Sequence, residues 1–319
     1  MTDALHPQVA ALLAAEAAAA PVALTVATLR AHSDVTYSPL VGDPETVHRS
    51  WNEVLETPAG NVPVRWYQPT SDLPTLLVVY VHGGGWVTGT LDSYDSLCAS
   101  LALRSGALVM SVDYAISPET IFPGALMQVV AILADAKKHA INAGFSVAKV
   151  SAAGDSAGGQ LVATAIHRLI AASQPLPDSA VYIYPVTDAS MQHESWSTLG
   201  NGFRLTYEKM KWFWEQYLGT DLATAQVRAK EQGAADISPL YAPTLQQNPR
   251  SLVMTAAFDP LRDEGDAFAH RLEAEGVPVA HFTVPGQVHG FLRLRQVFTD
   301  PEWGPDAVME KIGAFLTKP

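Results

Sequence analysis

Among its 319 residues the chain has a single cysteine, Cys98, which excludes an internal disulfide and leaves no Cys/His cluster with zinc-site spacing. That usage points to a reducing, cytoplasmic setting. Positive charge is also scarce: 20 Lys and Arg against 32 Asp and Glu give a formal net charge of −12. A surface of that sign repels phosphate backbones and anionic membrane faces, so nucleic acid is not an expected partner. Long apolar runs are missing as well. The strongest, Leu76 to Val81, falls far short of the roughly 18 residues a membrane span requires. The Ala-rich stretch Val9 to Leu24 resembles the apolar part of an export signal, but Asp3 and Glu16 are acidic and no Lys or Arg precedes Arg30. It reads as a helix. Repeats, charge blocks and low-complexity linkers are absent from the sequence.

What is present is ordinary globular composition, with 48% hydrophobic and 16% charged residues, enough to build a large core. From about Val47 onward, short β-rich runs appear: Val47 to Glu56, Val62 to Tyr67, Leu76 to Val81 and Ala107 to Val112. Strands then alternate with helices: helix Leu126 to Ala143, strand Lys149 to Ala153, helix Ala157 to Ala172, strands Ala180 to Tyr184 and Leu252 to Ala257, helix Glu264 to Glu275, strand Val279 to Val284 and helix Pro305 to Leu316. Continuous apolar strands flanked by helices imply a mostly parallel sheet covered on both faces, a three-layer α/β sandwich. Residues 1–45 and 187–237 break the alternation and form the expected helical cap over a catalytic domain of 46–186 and 238–319.

Chemistry is expected where strands end. The string Gly154-Asp155-Ser156-Ala157-Gly158 follows a strand and opens a helix, the setting in which a tight elbow exposes a serine hydroxyl as nucleophile. Its glycines let the turn pass close to neighbouring backbone, and the helix N-terminus favours developing negative charge. Upstream, His82-Gly83-Gly84-Gly85-Trp86 follows the most apolar strand. Such a loop can aim N–H groups at an oxyanion, and Gly84, Gly85 and Ala157 are the expected donors. His82 is expected to order this loop. A serine needs an imidazole base oriented by a carboxylate, and both should lie downstream. Phe258-Asp259-Pro260-Leu261-Arg262-Asp263-Glu264 offers Asp259 nearest the strand end, while Asp263 and Glu264 suit the first turn of the following helix. Pro285-Gly286-Gln287-Val288-His289-Gly290-Phe291 places His289 after the last strand.

Together these motifs resemble the bacterial hormone-sensitive-lipase-like esterases, the branch with Gly-Asp-Ser-Ala-Gly at the elbow. Asp259-Pro260-Leu261-Arg262-Asp263-Glu264-Gly265, His289-Gly290-Phe291 and Ile237-Ser238-Pro239-Leu240 share in the likeness. The resemblance implies an α/β-hydrolase fold, an N-terminal segment forming part of a cap, and hydrolysis of short- to medium-chain acyl esters. It also implies pairing of two copies through the last strand. One departure stands out: in Asp113-Tyr114-Ala115-Ile116-Ser117-Pro118-Glu119, Ala115 occupies the family's arginine position. A structural ion pair is thereby put in question, and the triad is not.

The expected mechanism is attack by Ser156 on an ester carbonyl, with His289 as base and then acid, Asp259 orienting it, and no metal or organic cofactor. The expected partner is a small-molecule ester, and Trp86, Phe203 and Tyr207 are the expected substrate contacts. Two alternatives stay open at this point: an amidase with the same triad, and a catalytically silent small-molecule receptor on the same fold.

Overall fold

A computed structural model describes residues 4–19, 23–224 and 234–318. Its centre is an eight-stranded sheet: β1 (Arg49–Thr57), β2 (Gly60–Gln68), β3 (Leu76–Val81), β4 (Leu108–Val112), β5 (Lys149–Asp155), β6 (Ser179–Ile183), β7 (Arg250–Phe258) and β8 (Val279–Val288). Their spatial order is β1-β2-β4-β3-β5-β6-β7-β8. The antiparallel pairings are β1 with β2 and β2 with β4; from β4 to β8 every neighbour is parallel. The parallel part therefore carries all of its carboxyl-end loops on one edge, where ligand chemistry gathers in open α/β sheets.

Alternation along β3 shows how the sheet is covered. Leu77, Val79 and Val81 belong to one core cluster, and Val78 and Tyr80 to the other, because successive strand side chains point to opposite faces. On the first face pack α4 (Gly124–Ala134), α6 (Ala157–Ala171) and α9 (Arg262–Ala274), through residues such as Leu126, Leu161 and Phe268. On the second lie α3 (Asp95–Ser105) and α10 (Pro305–Thr317), with Leu101 and Ile312. Cys98 is buried there as a free thiol.

Several boundaries differ from those read in the sequence. The expected helix Leu126 to Ala143 is two helices, α4 and α5 (Ala136–Asn142), which meet at Asp135, whose ψ of 14° leaves the helical range. The expected strand Val279 to Val284 runs on through Pro285 and Gly286 to Val288; a bulge opposite Ala256 and Phe258, with φ +69° at Gly286, accommodates the interruption. Within the Ala-rich segment α1 covers Pro7–Ala18 and ends where Ala19 is extended; α2 (Val26–Val41) follows.

The two segments outside the alternation approach each other. Glu16 of α1 binds Arg204 through contacts of 3.1 and 3.2 Å. In the second segment α7 (Glu194–Leu199) precedes Arg204 and α8 (Tyr207–Leu218) follows it. Residues 20–22 of the first segment and 225–233 of the second lie outside the described residues. Among the described residues no helix is long and apolar enough to cross a membrane.

Candidate active site

At the carboxyl end of β5 the chain turns sharply into α6. Ser156 occupies the turn with φ 54° and ψ −120°, a left-sided backbone conformation that a non-glycine residue holds only when its surroundings enforce it. Here they do. The Ser156 N–H donates to the Ile183 carbonyl at 2.9 Å, and its own carbonyl accepts from Val186 at 3.2 Å. A Cβ on Gly158 would lie 2.0 Å from the Val81 carbonyl oxygen, and one on Gly154 would lie 2.5 Å from the Gly158 backbone. Both positions require glycine because the elbow is wedged against β3 and itself.

Asp259 and His289, from the ends of β7 and β8, converge on this serine. His289 Nε2 lies 2.9 Å from Ser156 Oγ, and His289 Nδ1 lies 2.6 Å from Asp259 Oδ2. The Asp259 carboxylate is fully buried and its other oxygen accepts the Leu261 N–H at 2.9 Å. A buried carboxylate must accept from Nδ1–H, which leaves Nε2 with a lone pair directed at the serine hydroxyl. Tyr184 packs edge-on against the His289 ring at 4.9 Å and limits its rotation.

Asp263 and Glu264 are engaged elsewhere. Asp263 accepts the Ser195 N–H at 2.8 Å; Glu264, fully buried, accepts from the amides of Thr187 and Asp188 at 2.8 and 3.1 Å and from Trp196 Nε1 at 3.0 Å. They anchor the segment after β6 to α9.

The glycine loop after β3 is held from below by Asp155. This carboxylate accepts from the Gly83 N–H at 2.8 Å, from Tyr80 Oη at 2.8 Å and from Tyr94 Oη at 3.0 Å. His82 is buried, donates Nδ1–H to the Gly83 carbonyl at 2.7 Å and stacks on Tyr114 at 4.4 Å. Burial pushes its imidazole down to about 4, so it is neutral and orders the loop, as expected from the sequence. Gly84 and Gly85 have φ of +113° and +59° and line the cavity beside Ser156. Ala157 follows Ser156 as the buried first residue of α6.

That cavity, of about 110 Å³, is walled by residues of both segments outside the alternation: Leu29, His32 and Ser33 from α2, and Lys209, Met210 and Phe213 from α8. The three expected substrate contacts are not among the described residues that line it. Trp86 is fully buried beneath α8, stacked on Tyr217 at 4.5 Å and tilted against Trp214 at 4.4 Å, with Nε1 donating to Gln160 at 3.2 Å. Phe203 packs on Phe258 at 5.6 Å, and Tyr207 stands edge-on to Trp196 with its remaining surface exposed. Phe213 is the aromatic of α8 that lines the cavity: a Cβ on Gly85 would meet its ring at 2.4 Å. Sequence reading passed over it because a run of aromatics does not reveal which face of α8 turns inward.

Glu119, at the end of the run that carries Ala115, is ion-paired. Arg30 of α2 binds both carboxylate oxygens of Glu119 at 2.7 Å, and donates to the carbonyls of Val87 and Ser117, each at 2.9 Å. These hydrogen bonds hold the Glu119 carboxyl down at about 2. Among the described residues no cluster of His, Cys, Asp or Glu is arranged to hold a metal ion.

Comparison with known proteins extends this picture. Residues 78–293 match a family model described as the alpha/beta hydrolase fold. The carboxylic ester hydrolase LipN of Mycobacterium tuberculosis is 36% identical over 82% of this chain and 69% of its own length. An ethyl acetate hydrolase of Pseudomonas putida is 34% identical over 80% of this chain and 79% of its own. Among solved structures, a thermostable esterase of Pseudomonas putida superposes with a TM-score of 0.89 at 29% identity, covering 99% of this chain and 98% of that one. A hyperthermophilic esterase of Pyrobaculum calidifontis does so with a TM-score of 0.85 at 29% identity, covering 98% of both chains.

Proposed function

Since the chain belongs to the α/β-hydrolase family, in its hormone-sensitive-lipase-like branch, and is a carboxylic ester hydrolase, we propose that Ser156, His289 and Asp259 carry the reaction. The observation behind this reading is the continuous hydrogen-bonded chain from Ser156 Oγ through His289 to Asp259, at 2.9 and 2.6 Å. A serine hydroxyl is a weak nucleophile until a positioned imidazole takes its proton. Ser156 Oγ attacks the ester carbonyl as its proton passes to His289 Nε2, and Asp259 stabilises the imidazolium and keeps its orientation. The carbonyl oxygen, now an anion, is bound by the N–H groups of Gly84, Gly85 and Ala157, which need no reorganisation because the loop is already fixed. His289 returns the proton to the leaving alcohol. Water then attacks the acyl-enzyme by the same route, and Ser156 is regenerated.

Residues 1–45 and 187–237 act as the cap and 46–186 with 238–319 as the catalytic domain. The cavity wall shared between α2 and α8 and the Glu16–Arg204 pair support this division. A cavity of about 110 Å³, well below the roughly 300–1,000 Å³ of sites for drug-sized ligands, favours short acyl chains. The enzyme is assigned to the cytoplasm, consistent with one buried cysteine, and to a dimer joined along β8, whose outer edge has no neighbouring strand in the sheet. Light scattering of the purified chain reads the dimer directly. For the catalytic reading, the decisive comparison is hydrolysis of p-nitrophenyl esters from acetate to palmitate by the wild type and by Ser156→Ala. Turnover is expected to be greatest on short chains and to be lost in the variant. A maximum at palmitate would overturn the chain-length reading, and an active Ser156→Ala would overturn the nucleophile.

A further inference from the structure

The cavity beside Ser156 has a charge opposite to that of the protein. The chain carries a formal −12, yet Arg204, Lys209 and Arg293 all reach the cavity lining, and Asp155 is the one acidic residue among the described lining residues. Asp155 offers little to a ligand, since Tyr80, Gly83 and Tyr94 already donate to it. Two of the cations are likewise engaged. Arg204 is held by Glu16 at 3.1 Å, and Arg293 donates to the Ser93 carbonyl at 2.9 Å with its guanidinium over the Tyr94 ring at 4.2 Å.

Lys209 differs. Among the described residues it makes no ion pair with a carboxylate; its backbone N–H is used by the Thr206 cap, and its ammonium lies 5.8 Å from the centroid of the Phe213 ring. Lys209 and Phe213 are four residues apart in α8 and so share one helix face. Phe213 is the ring that presses on Gly85, next to the expected oxyanion donors. Lys209 thus lines the cavity beside Ser156, with its ammonium near the ring that contacts the glycine loop. Beyond roughly 8 Å at physiological salt, the acidic outer surface is screened, and nearby cations set the local potential.

Resting on the esterase reading above, we propose that Lys209 is a specificity-determining residue that selects esters bearing a carboxylate elsewhere in the molecule. Two kinds of ester share this chemistry: half-esters of dicarboxylic acids, with the charge on the acid portion, and acyl esters of hydroxy acids, with the charge on the alcohol portion. Lys209 binds that carboxylate during positioning and takes no part in bond making.

The test uses matched pairs in which a neutral primary amide replaces the carboxylate: monoethyl succinate against ethyl succinamate, and γ-acetoxybutyrate against γ-acetoxybutyramide. For each pair the anionic-to-neutral ratio of kcat/KM is measured in the wild type, Lys209→Gln and Lys209→Arg. The wild type is expected to favour the anionic member of at least one pair, which identifies the portion that Lys209 reads. Lys209→Gln should lower that ratio by roughly tenfold, the size of one charge-assisted hydrogen bond, and Lys209→Arg should largely retain it. Raising the ionic strength to about 1 M should shrink the wild-type preference. Turnover of all four esters with ratios near one, unmoved by Lys209→Gln, overturns the selection and leaves Ser156 chemistry standing. No turnover of any of them overturns both.

Discussion

Replacing Gly158 by alanine tests whether the elbow and the oxyanion loop form one rigid unit. The new Cβ would stand 2.0 Å from the Val81 carbonyl oxygen and 2.6 Å from that of His82. Both are backbone atoms, so no side chain can rotate away. A carbon and an oxygen without a bond between them do not approach closer than about 3 Å, which leaves roughly 1 Å to be found by moving α6 away from β3. That movement separates Ser156, two residues earlier at the N-cap of α6, from Gly84 and Gly85, which follow His82 and Gly83. Overpacking of this kind costs about 1–3 kcal/mol of stability, and a misplacement of about 1 Å between nucleophile and oxyanion donors costs on the order of 100-fold in rate. The assay is kcat on a short p-nitrophenyl ester, normalised to folded protein by near-ultraviolet circular dichroism, with Gly276→Ala as control. Gly276, unlike helical Gly158, has a positive φ of +87°, and a Cβ there meets nothing within 4 Å, so it reports the loss of a glycine without the collision. A folded Gly158→Ala within about threefold of wild-type kcat would refute the coupling.

Three further substitutions probe residues around the site. His82, pushed down to about 4 by burial, stays neutral in the folded protein while an unfolded histidine takes up a proton below about 6.5. Its contribution to stability is therefore complete above that value and is lost as pH falls towards 4, by up to about 3 kcal/mol. Chemical denaturation at pH 7 and pH 4.5 should show a smaller loss in His82→Asn than in the wild type, and equal losses would contradict the assignment. Trp86→Ala should destabilise the fold by about 3–5 kcal/mol, because it removes a buried ring from the stack with Trp214 and Tyr217. Phe213→Ala, by contrast, should extend the range of acyl chains accepted. A Trp86 variant that changes chain-length preference at unaltered melting temperature would show that Trp86 faces substrate.

The parts of the site that were readable from sequence share one property: each sits at the carboxyl end of a strand in a parallel sheet. Ser156, Asp259 and His289 could be chosen from β5, β7 and β8 because strand periodicity fixes where each strand stops, and parallel topology puts those stops on one edge. Gly84 and Gly85 were found for the same reason, after β3. What escaped depends on packing between segments far apart in the chain. Asp155 lies inside the recognised motif, yet its role as the post for the glycine loop needs Tyr80 and Tyr94, brought up from other elements. The inward face of α8 is set by how the cap docks, so Phe203 and Tyr207 were chosen where Phe213 and Lys209 line the cavity. Arg30 supplies a cation to Glu119 from 89 residues upstream, a pairing that no local pattern in the sequence reveals.

The central claim is that Ser156 forms the acyl-enzyme, and an organophosphate reports on it most directly. Incubating the folded protein with diethyl p-nitrophenyl phosphate should release one equivalent of p-nitrophenol per chain. Peptide mass spectrometry should then place a single diethylphosphoryl group on Ser156, with neither signal in Ser156→Ala. A folded protein that stays unlabelled, or one labelled stoichiometrically at another residue with equal loss of activity, would contradict it.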